Sequence, residues 1–448
     1  MDQMFDVIII GGGNAGFAVS KVAQAAGKSI AFIEQAEFGG TCPNRGCTPK
    51  KVLVAAAHAL DEIDRARVHG ITVGPAKLDW SALIDRKNQI ISHIPSAMKG
   101  LAEKRGTVFQ GQARFVGPNA VQVGDVTLTG KDIVIATGSK TRPLTIPGAD
   151  LMVTSDEVLS DHVLPAEVVF IGGGVIAMEF SHVYVRAGSK VTVLELAPKL
   201  LGRMDSDAVA VIAAATERLG VTIKTAVKVN GVQRARGRLQ VNYEHDGRAQ
   251  VVMADSVVNG SGRIANVEGL DLDAAGIQHD GIRIAVDVHL RSVSNPAIWV
   301  AGDALALTAQ LSPVATYEGG IVGHNIVHGA TKSPDYRVLP SAVYTVPALA
   351  AVGLTQAEAE AKGLDLAVTV NDMTGWFSGK SYGERVAWAK VLVDKANDQI
   401  VGAHLVGHHG EDLIQLFAMA MAHNISASAL RESPTAYPTF ASDVRNLF

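Results

Sequence analysis

The sequence predicts an α/β fold in which two parallel-sheet βαβ units are followed by a C-terminal α+β domain, and three observations carry that expectation. Gly11-Gly-Gly13-Asn-Ala-Gly16 follows the apolar run 7–10, and Gly172-Gly-Gly174-Val-Ile-Ala177 follows the apolar run 168–171. From about residue 336 the texture changes to mixed short strands and helices. A chain of 448 residues is also too long for one ordinary domain of roughly 100–200 residues. With 48% hydrophobic residues and a mean hydropathy of +0.20, a large core is easy to build and wholesale disorder is excluded. Forty basic against forty-four acidic side chains give a net charge of -4. There is no basic run, which argues against nucleic acid as a partner.

Taken in order, Val7-Ile-Ile-Ile10 reads as a buried parallel strand, 15–26 as a helix and 29–34 as the next strand. Residues 51–67 and 79–105 have helical spacing, the second stretch interrupted near Pro95. Shorter strands with Gly and Asn turns fill 107–130, ending in the run 132–138. Pro143, Pro147 and Gly148 mark a crossover. A second unit then repeats the construction, with a strand at 168–171, a helix through Ala177 and a strand at 191–195. Alternation over 221–260 with a turn at Asp246-Gly247 predicts further strands. A strand ends near Ala301-Gly302-Asp303, and a helix begins near Pro313. No run of 18 apolar residues occurs, so no membrane span or membrane partner is expected. The acidic opening lacks the basic region of an export signal, which points to a cytoplasmic protein.

The glycines at 11, 13 and 16 permit a tight turn and bring backbone donors and a helix N-terminus to a pyrophosphate. Glu34, at the end of the second strand, is placed to accept ribose hydroxyls; the plainer alternative is a solvated strand terminus. Gly172, Gly174 and Ala177 with Glu195 form the corresponding second cradle. A carboxylate there accepts a free ribose 2′-hydroxyl and repels a 2′-phosphate, so NADH is favoured over NADPH. Lys199 and Arg203 lie downstream, either as ordinary surface charge or as cations that weaken this preference. Both units are therefore Rossmann-like.

Cys42 and Cys47, the two cysteines of the chain, stand in Gly39-Gly-Thr41-Cys42-Pro-Asn-Arg-Gly-Cys47-Thr-Pro-Lys50-Lys51. A regular helix would separate them by about 7.5 Å along its axis, slightly beyond the usual disulfide span of about 4.4–6.8 Å. A Pro- and Gly-containing helix entrance can close that gap, and its backbone donors favour a thiolate. Inert thiols and half of a metal site are the alternatives. The spacing is not CxxC and no nearby histidine cluster completes a site, so redox chemistry is the better reading and no metal is expected.

The segment from Gly39 through Cys42 and Cys47 to Pro49 and Lys50, with Ala136-Thr137-Gly138, the Glu179 helix and Ala301-Gly302-Asp303, resembles the FAD-dependent pyridine nucleotide-disulfide oxidoreductases over essentially the whole chain. That family includes glutathione reductase, dihydrolipoyl dehydrogenase, mercuric reductase and soluble transhydrogenase. The resemblance implies one non-covalent FAD per subunit, bound by 1–140 and 265–335. It further implies an NAD(P) domain over 141–264 and a dimerisation domain over 336–448. It implies that Cys47 faces the flavin and Cys42 exchanges with substrate. Lys50 or Lys51 approaches the flavin and pairs with Glu179. Thr41, Thr137, Gly138, Gly302 and Asp303 contact FAD, and the helix at Pro313 presents its end to the flavin.

The departures bear on the substrate. In the disulfide reductases of this family a C-terminal His-Pro-Thr-x-x-Glu supplies a base to the partner subunit, whereas here the stretch is Tyr437-Pro-Thr-Phe-Ala-Ser442. A tyrosine is a poor base at neutral pH but can donate a proton. The C-terminus lacks the cysteine pair of mercuric reductase, both central cysteines are present unlike in transhydrogenase, and Gly319-Gly320 lacks the arginine of glutathione reductases. The expected activity is an NADH-dependent reduction of a small-molecule or protein disulfide through a Cys42–Cys47 redox pair in a homodimer with a composite site. Reduction of quinones, oxygen or metal thiolates, or a redox-sensing role, are the alternatives. His408-His409 is expected at a strand end or interface.

Overall fold

The computed structural model describes residues 3–307, 309–407 and 409–448, so His408 lies outside the described residues. The chain forms two compact units, one made of 1–50, 85–142 and 263–336, the other of 51–84, 143–262 and 337–448.

In the first unit a parallel sheet runs in the order Thr107–Gln110, Ile30–Glu34, Gln3–Ile10, Val126–Ile135, with Ile298–Val300 pairing to the far half of the last strand. Two antiparallel strands, Ala120–Val123 and Ala113–Gly117, extend it from the near half. Ile8, Ile9 and Ile133–Ile135 are fully buried, because helices cover a parallel sheet on both faces and leave no polar side to the strand. The Asn14–Ala25 helix crosses the Ser312–His328 helix closely. A Cβ at Gly319 would come 2.3 Å from the Ala15 carbonyl oxygen, so glycine sets that approach.

The second unit holds a four-stranded parallel sheet, Thr222–Lys224, Lys190–Leu194, Glu167–Ile171, Ser256–Asn259. An antiparallel meander, Lys228–Ala235, Arg238–His245 and Arg248–Ala254, is inserted into it. The turn at Asp246-Gly247 takes positive φ at both positions, as the sequence predicts. The C-terminal region adds a five-stranded antiparallel sheet, Ser341–Val343, Ala348–Gly353, Gln399–Gly407, Trp388–Asp394, Leu366–Asp372, with the Gly410–Ala422 helix against it.

Buried polar groups tie these parts of the second unit together. His182 donates from Nε2 to Thr216 Oγ1 at 2.8 Å, the Thr216 hydroxyl donates in turn to the Ile212 carbonyl, and Nδ1 accepts the Val346 N–H at 3.1 Å. Lys390 pairs with Asp205 and Asp207 at 3.2 and 2.7 Å. Arg186 joins Asp61 to the Val346 carbonyl.

The helical stretch expected to be interrupted near Pro95 is interrupted at 92–93, between Trp80–Ile91 and Ile94–Arg105. A proline in the first turn of a helix lacks only an N–H that has no partner there, so Pro95 begins the second helix rather than ending the first.

Candidate active site

The two glycine cradles share one construction at the first glycine and at the strand-end glutamate. Gly11 and Gly172 take φ of 113° and 105°, and a Cβ there would lie 2.2 Å from the Ala136 carbonyl oxygen and 2.4 Å from that of Gly260. Only glycine fits on both counts. At the strand ends, Glu34 accepts the N–H of Gly12 at 2.7 Å and of Ala36 at 2.8 Å. Glu195 accepts the N–H of Gly173 and, at 2.6 Å, of Ala197. Each carboxylate is thus pinned by the middle glycine of its cradle and by the residue two positions on. Gly13 and Gly174 differ from their neighbours. A Cβ at either would meet nothing nearer than 3.8 and 3.9 Å, so the fold itself leaves room at these positions. Gly16 has no such latitude, its Cβ falling 2.2 Å from the Gly11 carbonyl, whereas Ala177 is accommodated fully buried in the second unit.

Between the first cradle and the long Cys47–Arg65 helix lies the short Thr41–Arg45 helix. Gly46 separates them, where a Cβ would meet the Thr41 carbonyl at 3.0 Å and the Cys42 Cα at 3.3 Å. This tight turn brings Cys42 and Cys47 within hydrogen-bonding reach of each other. Both are free thiols. The hydrogen bond from Cys42 is the largest influence on Cys47 and holds its proton affinity down to about 6, with Ser312 and the positive charge of Lys50 acting in the same direction against burial. Cys42, as the donor, is held well above the ordinary thiol range, with burial adding to the effect. In the dithiol, therefore, Cys47 carries the negative charge and Cys42 keeps the proton.

Ser312 Oγ lies 3.4 Å from Cys47 Sγ. Sequence reasoning missed it, although its position immediately before Pro313, at the entrance of the helix already expected there, was the available signal. The paired lysines diverge. Lys51 Nζ lies 3.2 Å from Glu411 and 4.2 Å from the centroid of the Tyr344 ring, while Lys50 is the one whose charge acts on Cys47. Glu179 is buried and accepts the Tyr344 N–H at 2.8 Å. Asp303 accepts the Ser139 hydroxyl at 2.7 Å, and Ser139 Oγ in turn accepts from Arg263 Nε at 2.9 Å; burial raises the Asp303 carboxyl above its usual range. Neither Ser139 nor Arg263 carries a motif that marks it in advance. Tyr437 is exposed, with its ring 6.4 Å from that of Phe377. His409 packs against Phe440 at 5.1 Å.

The first unit fits a flavin dinucleotide. Thr137 Oγ1 and Asn44 Oδ1 are buried without a hydrogen-bonding partner among the described residues. Thr137 follows Ala136, whose carbonyl adjoins Gly11; Asn44 lies between the two cysteines. Together with the room at Gly13 and the acceptor at Glu34, these are the groups expected to line an adenosine diphosphate running toward the thiols.

Comparisons with known proteins agree. The family model "Pyridine nucleotide-disulphide oxidoreductase" matches residues 5–319, and that of the family's dimerisation domain matches 339–448. A glutathione reductase from Burkholderia cepacia is 30% identical over 442 residues, covering 98% of this chain and 97% of that protein. A dihydrolipoyl dehydrogenase from Cupriavidus necator is 32% identical over 443 residues, covering 94% and 92%. Among solved structures, the Cu(II) complex of the HOCl-induced flavoprotein disulfide reductase RclA from Escherichia coli superposes with a TM-score of 0.89 at 27% identity, covering 100% of this chain and 99% of that one.

Proposed function

The chain belongs to the FAD-dependent pyridine nucleotide-disulphide oxidoreductase family, and from that premise we propose that it uses NADH to reduce a small-molecule or protein disulfide through Cys42 and Cys47. It is an FAD flavoprotein of the disulfide-reducing type and a homodimer. The observation that carries the reading is the unequal thiol pair, with a charged Cys47 held by Cys42, Ser312 and Lys50.

FAD, when bound, supplies the two-electron relay between nicotinamide and thiols. Thr41, Thr137, Gly138, Gly302, Asp303 and the Pro313 helix entrance are the residues we assign to it beside the first cradle. Lys50, whose positive charge acts on Cys47, is the lysine we assign to the flavin. In the second unit Gly172, Gly174, Ala177 and Glu195 receive the nicotinamide dinucleotide. Glu195 selects NADH because a 2′-phosphate would bring a second negative charge against a carboxylate that its two backbone bonds hold in place.

Two-electron reduction opens the Cys42–Cys47 disulfide. The Cys42 thiol attacks one sulfur of the acceptor disulfide as its proton passes to the departing sulfur, forming a mixed disulfide and releasing the first thiol. The Cys47 thiolate then attacks Cys42 sulfur, closing the internal disulfide and expelling the second thiolate. Tyr437 of the partner subunit donates a proton to a departing thiolate. No helix among the described residues is long and apolar enough to cross a membrane, and a cytoplasmic enzyme is the setting that suits a cycle driven by NADH.

The test is anaerobic reduction with NADH followed by rapid mixing with disulfides, quinones and metal thiolates. A long-wavelength thiolate-to-flavin band and rapid reoxidation by disulfides are expected. Rapid quinone turnover with no reoxidation by any sulfur acceptor would overturn the disulfide reading in favour of a flavin-centred reductase.

A further inference from the structure

The Ser312–His328 helix touches the thiolate at its first residue, and its later turns hold the segment that follows it. Asn325 is buried and grips the backbone of that segment from both ends of its amide, accepting the N–H groups of Thr331 and Lys332 at 3.2 and 2.9 Å and donating to the Lys332 carbonyl at 2.9 Å. The Tyr317 hydroxyl accepts the Asp335 N–H at 2.9 Å. Next in sequence to Tyr317, about 100° round the helix, Glu318 is fully buried. One of its oxygens accepts the Gly302 N–H at 2.8 Å and the other accepts the Tyr336 hydroxyl at 2.8 Å.

A carboxylate withdrawn from water is costly unless its oxygens are hydrogen-bonded. The bonds to Gly302 and Tyr336 therefore bind Glu318 strongly into place. Burial and the Glu318 charge hold the Tyr336 phenol well above its ordinary range, so it stays a donor at every working pH. Gly302 immediately precedes Asp303 and has φ of 72°, with Ala15 and Ala315 within 3.2 and 3.3 Å of where a Cβ would lie. The turn is confined on one side by packing and on the other by Glu318. Tyr336 is the last residue of the first unit before the chain leaves it.

We propose that Glu318 is a positioning residue for FAD, clamping the Gly302–Asp303 turn with one carboxylate oxygen and the Tyr336 hydroxyl with the other, so that FAD retention depends on a side chain at the point where the chain leaves the first unit. The inference rests on the reading that Asp303 contacts FAD. It makes FAD binding and the seating of 333–336 mutually supporting, since coupling between two binding events is reciprocal.

The experiment measures FAD release from the loaded dimer by the recovery of free-flavin fluorescence in the presence of a scavenger. Tyr336→Phe keeps the ring and loses one hydrogen bond, and release is expected to be about three- to tenfold faster. Glu318→Ala should release faster still. Glu318→Gln, whose amide can accept from Gly302 and donate to the Tyr336 oxygen, should return close to the wild-type rate. Asp303→Asn separates the two readings. Faster release there with wild-type release from Tyr336→Phe would overturn the clamp and leave the Asp303 contact standing; unchanged release from Asp303→Asn would remove that contact and the clamp with it. Amide hydrogen exchange gives an independent readout. FAD loading should slow exchange across 333–336 in the wild type and much less in Tyr336→Phe. Equal exchange with and without FAD in the wild type, the outcome for a purely structural bond, would also overturn the proposal.

Discussion

The Cys47 thiolate is stabilised by three neighbours, and each can be removed separately. Since the folded proton affinity is depressed to about 6, the long-wavelength band of the reduced enzyme should be full above that pH and fade as pH falls through it. Ser312→Ala removes one donor to the charged form, so the midpoint should rise by about one pH unit; an unchanged midpoint in a spectral titration would take Ser312 out of the site. Cys47→Ser should abolish the band, whereas Cys42→Ser should retain it, and both should lose disulfide turnover. Glu195→Gln should narrow the preference for NADH over NADPH, measured as the ratio of kcat/KM values with one acceptor. The cysteines, the cradle glycines and both glutamates were legible in the sequence because their spacing is tied to local backbone geometry. Ser312, Ser139 and Arg263 were not. They meet their partners from distant parts of the chain, Ser312 lying 265 positions from Cys47 and Ser139 164 from Asp303, and local pattern can mark a helix entrance without showing which side chain it will meet.

Among the elements, the strand-to-helix turns separate what the fold requires from what a ligand requires. Gly11→Ala forces a side chain onto the Ala136 carbonyl at an unfavourable φ, and should cost about 3 kcal/mol or more of stability. Gly13→Ala meets no atom closer than 3.8 Å; its flavin-free form should melt within a few degrees of the wild type while flavin content falls at least tenfold. Similar losses of stability in both variants would show that Gly13 serves packing alone. The His182 helix offers a second test. Burial lowers the His182 proton affinity from 6.5 to about 3, so the unfolded chain binds the extra proton between those values. Stability from this source is complete above pH 6.5 and declines as pH falls toward 3. His182→Gln should flatten that part of the thermal-midpoint profile. Strand and helix existence and the interruption near Pro95 were readable from period and from glycine and proline punctuation; which helix Pro95 joins was not, because proline is compatible with a first helical turn.

For the whole molecule, the proposed cycle has Tyr437 act across the dimer. Tyr437→Phe should slow acceptor-linked reoxidation by about tenfold or more while leaving NADH reduction nearly unchanged, as read by stopped-flow absorbance. Mixing Cys42→Ser with Tyr437→Phe subunits should restore one intact site per heterodimer; no recovery on subunit exchange would confine Tyr437 to its own subunit or to packing. The order of domains followed from the two cradles and the change of texture near residue 336. The excursion of 51–84 into the second unit did not, because its helical pattern shows which face is apolar without showing what that face meets.

The first unit is assembled from three separated stretches, the last ending at Tyr336. On a ribosome adding about 5–20 residues per second, its sheet waits for Ile298–Val300, and its helix at Ser312 comes later still. Three-quarters of the chain must emerge before the unit can close. Until then the fully buried Ile8, Ile9 and Ile133–Ile135 belong to an unfinished sheet, exposed to mispairing and to chaperones. Nascent chains halted before residue 298 should therefore remain protease-sensitive across 1–142, and protection should arise abruptly once 336 has cleared the exit tunnel.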